Sequence, residues 1–202
     1  MHKKRGMLIV VSGPSGVGKD TVVREFLKSS VDCVLSVSAT TRAKRAGEAH
    51  GRDYHFVSHE EFIIKIQNGE MLEWAEYNGK HYGTPGHMVE RERDAGRNVI
   101  LVIEVQGAMK VRKTHPEAVL VFIMPPDADA LRERLRNRAS DSEESILRRL
   151  HTAQAEMDKA IEYDYILTNQ DIAVCAADLD TVIRAAALSP RHTDFSTQSS
   201  AR

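Results

Sequence analysis

The sequence predicts an α/β fold in which a parallel sheet is flanked by helices on both faces. Short Val-, Ile- and Leu-rich runs recur at 7–11, 98–103 and 119–124, with weaker ones at 34–37 and 165–167. Helix-length amphipathic stretches lie between most of them. The runs are nearly all apolar rather than alternating, the pattern of strands covered on both faces. A chain of 202 residues, 42% of them hydrophobic, can bury one good core and carry small inserted lobes. In such sheets, ligands gather at the carboxyl ends of the strands.

The start, Met-His-Lys-Lys-Arg-Gly, is basic, but the apolar run that follows ends at Val11. That is too short for a signal sequence or a membrane span, so a frayed lead into the first strand and a cytoplasmic location are expected. Helices are expected at 19–29, 85–96, 106–114, 127–136, 143–162 and 171–187. Residues 39–84 break the rhythm: they are polar and rich in Gly, Arg, His and Tyr, with short strands around 53–57, 71–77 and 80–82, a turn at Asn78-Gly79 and a helix near 59–68. This is read as an inserted lobe built on a small mixed sheet. Residues 137–147 form a polar cluster between two Arg-rich helical segments and are read as a mobile lid. The core is then 1–38 with 85–188, and the polar, aperiodic tail 189–202 is expected to be disordered. A net charge of −1 argues against a general polyanion binder, so no nucleic-acid partner is expected and phosphate affinity must come from local clusters. Cys33 and Cys175 stand far apart without metal-ligand spacing, so neither a disulfide framework nor a zinc site is suggested.

The most informative segment follows the first apolar run. Gly13-Pro14-Ser15-Gly16-Val17-Gly18-Lys19-Asp20 has the Walker A spacing, in which glycines let backbone N–H groups converge on phosphate oxygens and the lysine reaches the outer phosphates. A P-loop NTPase core is therefore predicted, with Thr21 next to the α phosphate. At Asp20 a carboxylate replaces the usual Ser or Thr hydroxyl that ligates Mg²⁺. A carboxylate is also a good hard-oxygen ligand, provided the metal lies between it and the phosphates. The alternative, a glycine-rich turn without a ligand, leaves the ordered strand, loop and lysine unexplained.

A second constellation lies in the insert. Arg42 and Arg45 offer planar forks for bidentate phosphate contacts, and Tyr54 and Tyr82 add phenolic donors without adding charge. Together they suit a nucleoside monophosphate. A purine with two adjacent N–H donors calls for a carboxylate that accepts both, for which Glu73 is the candidate, with Ser38 and Thr84 donating to the base's acceptors. Taken singly, each residue also fits a solvated face or the core of a small sheet.

Their joint order carries more weight. Ser-Val-Ser-x-Thr-Thr-Arg-x-x-Arg-x-Gly-Glu-x-x-Gly-x-Asp-Tyr-x-Phe from Ser36 to Phe56, then Glu73-Trp74-Ala75 and Tyr82-Gly83-Thr84, closely resembles the guanylate kinases, ATP-dependent kinases of GMP. The resemblance runs from about residue 7 to 187 and continues in Glu104-Val105-Gln106-Gly107-Ala108, Ile123-Met124-Pro125-Pro126, Arg134 through Arg138, Ser145 to Leu150 and Asn169-Gln170-Asp171. It implies a P-loop core, a GMP-binding lobe and a lid, with ATP, Mg²⁺ and GMP, and dGMP as a further acceptor. On that resemblance Arg42, Arg45, Tyr54 and Tyr82 hold the GMP phosphate. Ser38, Glu73, Thr84 and Glu104 face guanine, Arg134 and Asn169 lie on the ATP side, and Lys19, Arg138 and Arg149 act on the transferring phosphate.

Three positions depart from the pattern: Asp20, Lys44 where Pro is common, and Glu104 where Asp is usual. Asp20 also resembles the P-loop of ribose 1,5-bisphosphate phosphokinases, the alternative enzyme, which has no guanine for Glu73, Ser38 and Thr84 to read. A non-catalytic guanylate-kinase-like binding module is the second alternative, and there the P-loop is usually degraded. No protein nucleophile is needed for the predicted reaction. The acceptor phosphate loses its second proton near about pH 6 and is mostly a dianion at neutrality, so the protein supplies positioning and charge stabilisation. The oligomeric state is left open by the sequence.

Overall fold

In a computed structural model, residues 4–77, 79–136 and 143–193 are described. The first apolar run forms β1 (Leu8–Ser12), and the chain turns through the glycine-rich loop into α1 (Lys19–Leu27). After β2 (Cys33–Leu35) come two strands of two residues each, β3 (Ala39–Thr40) and β4 (His55–Phe56). The helix α2 (His59–Gln67) starts at a capping box, in which Ser58 Oγ accepts from the Glu61 N–H at 3.1 Å and Glu61 Oε2 accepts from the Ser58 N–H at 2.8 Å. A hairpin of β5 (Met71–Tyr77) and β6 (Lys80–Pro85) leads into α3 (Gly86–Asp94), β7 (Asn98–Val102), α4 (Val105–Thr114) and β8 (Val119–Met124). Then follow α5 (Ala128–Arg136), α6 (Glu143–Met157), β9 (Tyr165–Thr168) and α7 (Ile172–Ala187).

One sheet has five strands in the order β2-β7-β1-β8-β9, every neighbour parallel. Alternate residues of β1 enter opposite cores: Ile9 and Val11 pack with Val22, Phe26, Leu179 and Ile183 of α1 and α7, while Leu8 and Val10 pack with Val89, Val105 and Val111 of α3 and α4. All five residues of β1 are buried, which is why its sequence shows no polar alternation. The second sheet, in the order β4-β3-β6-β5, is mixed: β3 pairs parallel with β4 and antiparallel with β6.

Several boundaries differ from expectation. The strand expected around 53–57 is two residues long, and its partner β3 carries no apolar run to announce it. The helix expected over 143–162 is α-helical to Met157 and tightens into a 3₁₀ turn over Asp158–Glu162. Strand β6 runs on to Pro85, so α3 begins one residue late, where proline's fixed φ ends a strand and opens a helix. Pro190–His192, at the head of the tail, form one 3₁₀ turn, and 194–202 lie outside the described residues. Asn78, most of the expected lid (137–142) and Arg138 with it lie outside them as well. Both cysteines are free and buried. Among the described residues, no helix is long and apolar enough to cross a membrane.

Candidate active site

The loop after β1 is shaped by close approaches that exclude side chains. Gly13 has φ 148°, and a Cβ there would meet the Ile123 carbonyl oxygen at 2.3 Å. Gly18, the left-handed N-cap of α1, would place a Cβ 2.7 Å from Asn169 Nδ2. The loop is also held from outside. Asn169 Nδ2 donates to the Val17 carbonyl at 2.7 Å, and Arg134 spans the carbonyls of Val17 (3.1 Å) and Asn169 (2.8 Å). The structure thus places Arg134 and Asn169 as a brace behind the loop at the carboxyl ends of β8 and β9.

Lys19 is 8% exposed. Its ammonium donates to the carbonyls of Gly13 at 2.6 Å and Pro14 at 3.4 Å and lies 3.8 Å from a Glu104 oxygen. It is therefore folded back on its own loop, within reach of whatever anion enters. Arg149 Nη2 donates to Ser15 Oγ at 2.9 Å, so α6 touches the loop directly. Asp20 and Thr21, in the first turn of α1, are exposed.

Between the sheets lies a cavity of about 180 Å³ whose lining includes Ser38, Tyr54, Glu73, Tyr82, Glu104 and Gly107. Glu73 on β5 sits directly opposite Thr84 on β6, and its Oε1 accepts from the Thr84 hydroxyl at 2.8 Å. In this structure the Thr84 proton, expected to serve a base, is given to Glu73, a carboxylate that is only 5% exposed and needs a donor. Burial pushes the Glu73 carboxyl up to about 7, against the lowering effects of Thr84 and the Lys110 ammonium. Gly107, in the first turn of α4, makes this possible: a Cβ there would stand 2.5 Å from Glu73 Oε2.

At the other end of the cavity, Tyr54 and Tyr82 meet edge to face with ring centroids 6.1 Å apart, and the Arg42 guanidinium lies over the Tyr54 ring at 5.3 Å. Arg42 forms a two-pronged pair with Glu48 (3.0 and 2.7 Å), and Glu48 also accepts from the Arg45 N–H at 2.8 Å. Glu48 lay in the quoted motif without a role, although its spacing from the two arginines was a usable signal. The pair holds the Glu48 carboxyl below its ordinary range. Tyr54 is pushed up by burial and by the Asp20 carboxylate.

Glu104 joins the two halves: it lines the cavity and pairs with Lys19. Its Oε2 is buried without a hydrogen-bond partner. Among the described residues, no group of three or more His, Cys, Asp or Glu side chains is placed to hold a metal by itself. One or two hard carboxylate oxygens, Asp20 and Glu104, do suit a Mg²⁺ ion that arrives already bound to phosphates.

A family model described as guanylate kinase matches residues 5–186. A guanylate kinase of Carboxydothermus hydrogenoformans is 45% identical over 195 residues, covering 96% of this chain and 95% of the relative. One from Streptococcus thermophilus is 51% identical over 183 residues, covering 90% and 88%. The crystal structure of a guanylate kinase from Anaplasma phagocytophilum superposes with a TM-score of 0.79 at 38% identity, covering 95% of this chain and 92% of that one.

Proposed function

The chain belongs to the guanylate kinase family, and from that premise we propose that it transfers the terminal phosphoryl group of ATP directly to GMP, giving ADP and GDP. The observation that carries this reading is Glu104, which borders both the Lys19 loop and the cavity holding Glu73. Donor and acceptor sites thus meet at one side chain, as a direct transfer between two bound nucleotides requires.

In this reading Glu73 accepts from two adjacent N–H donors of guanine, and Ser38 approaches the same base. Arg42, Arg45, Tyr54 and Tyr82 receive the GMP phosphate. ATP phosphates lie against Gly13 to Thr21, drawing Lys19 from its own carbonyls, and Arg149, with Arg138, faces the transferring group. Arg134 and Asn169 act through the loop they brace. Mg²⁺, when bound, neutralises charge across the β and γ phosphates, with Asp20 and Glu104 as the oxygens that would hold it or its waters. In accord with a dianionic acceptor, no side chain need take its proton.

An ADP-release assay with ATP, Mg²⁺ and, separately, GMP, dGMP, AMP, UMP and ribose 1,5-bisphosphate tests the proposal. GMP-dependent turnover of about 1–100 per second is expected. Turnover with ribose 1,5-bisphosphate alone, or silence in all wells with GMP still binding, would overturn it. Asp20→Ala should raise the Mg²⁺ concentration needed for half-maximal rate roughly tenfold while KM for GMP stays within about twofold. Superimposable Mg²⁺ titrations would remove Asp20 from the metal site.

A further inference from the structure

Two residues on one side of α4 meet two consecutive residues of β5. Gly107, in the first turn of the helix, lets the Glu73 carboxylate approach, since a Cβ there would stand 2.5 Å from Glu73 Oε2. Lys110, three residues farther on and therefore on the same side, reaches Trp74, the neighbour of Glu73 in the chain. Its ammonium donates to the Trp74 carbonyl and lies over the indole, 4.6 Å from the ring centroid. Strand β5 is an end strand of its sheet, next to β6. Its other edge therefore depends on α4, not on a further strand, to fix where it sits.

An exposed lysine ordinarily keeps its head group in water, and a single surface contact contributes little. Lys110 is exposed, yet it holds one partner residue in two ways, at the main chain and at the ring. We propose that Lys110 is a positioning residue for recognition of the base: by clasping Trp74 it keeps β5 seated against α4, and so keeps the adjoining Glu73 where it meets the two N–H donors of guanine. The inference deepens the reading of Glu73 given above and rests on it. The two α4 residues are complementary. Gly107 gives the carboxylate room, and Lys110 stops the strand from drifting out of that room. A base with two adjacent donors needs both oxygens of one carboxylate correctly placed, so a misplaced strand costs it more than a base with one donor. Loss of the clasp should therefore weaken discrimination between bases while leaving the phosphoryl-transfer groups where they are.

The test compares GMP with IMP, whose base lacks the 2-amino group and so offers one donor where guanine offers two. KM for GMP comes from steady-state turnover at saturating ATP and Mg²⁺, and Ki for IMP from its competition with GMP. Lys110→Met keeps the stem and removes the ammonium. It should raise KM for GMP about fivefold while Ki for IMP and kcat each stay within about twofold of wild type. Lys110→Arg, which restores a cation with N–H donors, should bring KM for GMP back to within about twofold. Trp74 is the only tryptophan in the chain, so its emission reports on the clasp directly and should change in Lys110→Met. Lys110→Ala reads the same way and covers the case in which the Met variant does not fold. An unchanged KM for GMP, an equal rise for GMP and IMP, or Trp74 emission indifferent to loss of the ammonium would overturn the proposal. Wild-type protein that binds GMP and IMP equally well would instead overturn the reading of Glu73 on which it rests.

Discussion

Glu73→Gln should abolish most GMP turnover and at the same time stabilise the folded protein at pH 8. The carboxylate is 5% exposed and has its acidity shifted to about 7 from an ordinary value of 4.5. The folded state therefore holds this proton more tightly than the unfolded chain does. Its contribution to stability is complete below pH 4.5 and is lost as pH rises through about 7. The full gap corresponds to roughly 3 kcal/mol, and glutamine, which never ionises, should recover about 2 kcal/mol of it at pH 8. For a protein of this size that is about 4–8 °C in Tm, shrinking to little at pH 5. Function moves the other way. Glutamine presents an NH₂ where guanine also presents N–H groups, and a site built to accept hydrogen bonds discriminates strongly when that match fails. A drop in kcat/KM for GMP of about 10³-fold is expected. The same titration predicts that wild-type KM for GMP rises about tenfold from pH 8 to 6, as the carboxylate is lost. Equal Tm values at pH 8, or retained turnover, would show that Glu73 is an ordinary strand residue.

Lys19→Met should lower kcat by about 10³-fold and leave GMP affinity within about twofold of wild type. Methionine keeps the buried stem but removes the only ammonium that contacts the Gly13 and Pro14 carbonyls among the described residues. The loss of those bonds should cost no more than about 1–2 kcal/mol of stability. Single-turnover kinetics separate this from a folding defect, and retained phosphoryl transfer would remove Lys19 from the chemistry.

Much of this was legible from residues alone, for reasons that differ by element. Strands β1, β7 and β8 are buried on both faces, so their composition is extreme and their positions stand out. The loop from Gly13 to Lys19 is legible because two of its glycines combine a positive φ with close approaches of 2.3 and 2.7 Å, a combination that strongly favours glycine. Strands β3 and β4, two residues each, have no periodicity to read and exist only because β6 pairs with β3. The Thr84–Glu73 hydrogen bond could not be read from the residues, because a cross-strand register between β5 and β6 sets those two side chains opposite each other.

The Arg42–Glu48 pair has a consequence for the cell as well as for the reaction. An uncommitted arginine over a tyrosine cluster would collect whatever small oxyanion is abundant, inorganic phosphate and sulfate above all. With both terminal nitrogens of its guanidinium donating to Glu48, the Arg42 charge is matched by a carboxylate, and its pull on such ions should be weaker than that of an unpaired arginine. In the proposed reading, a phosphate should displace that carboxylate best when the rest of its molecule adds binding at Glu73. On that reading the lobe should favour the whole substrate over its phosphate fragment alone.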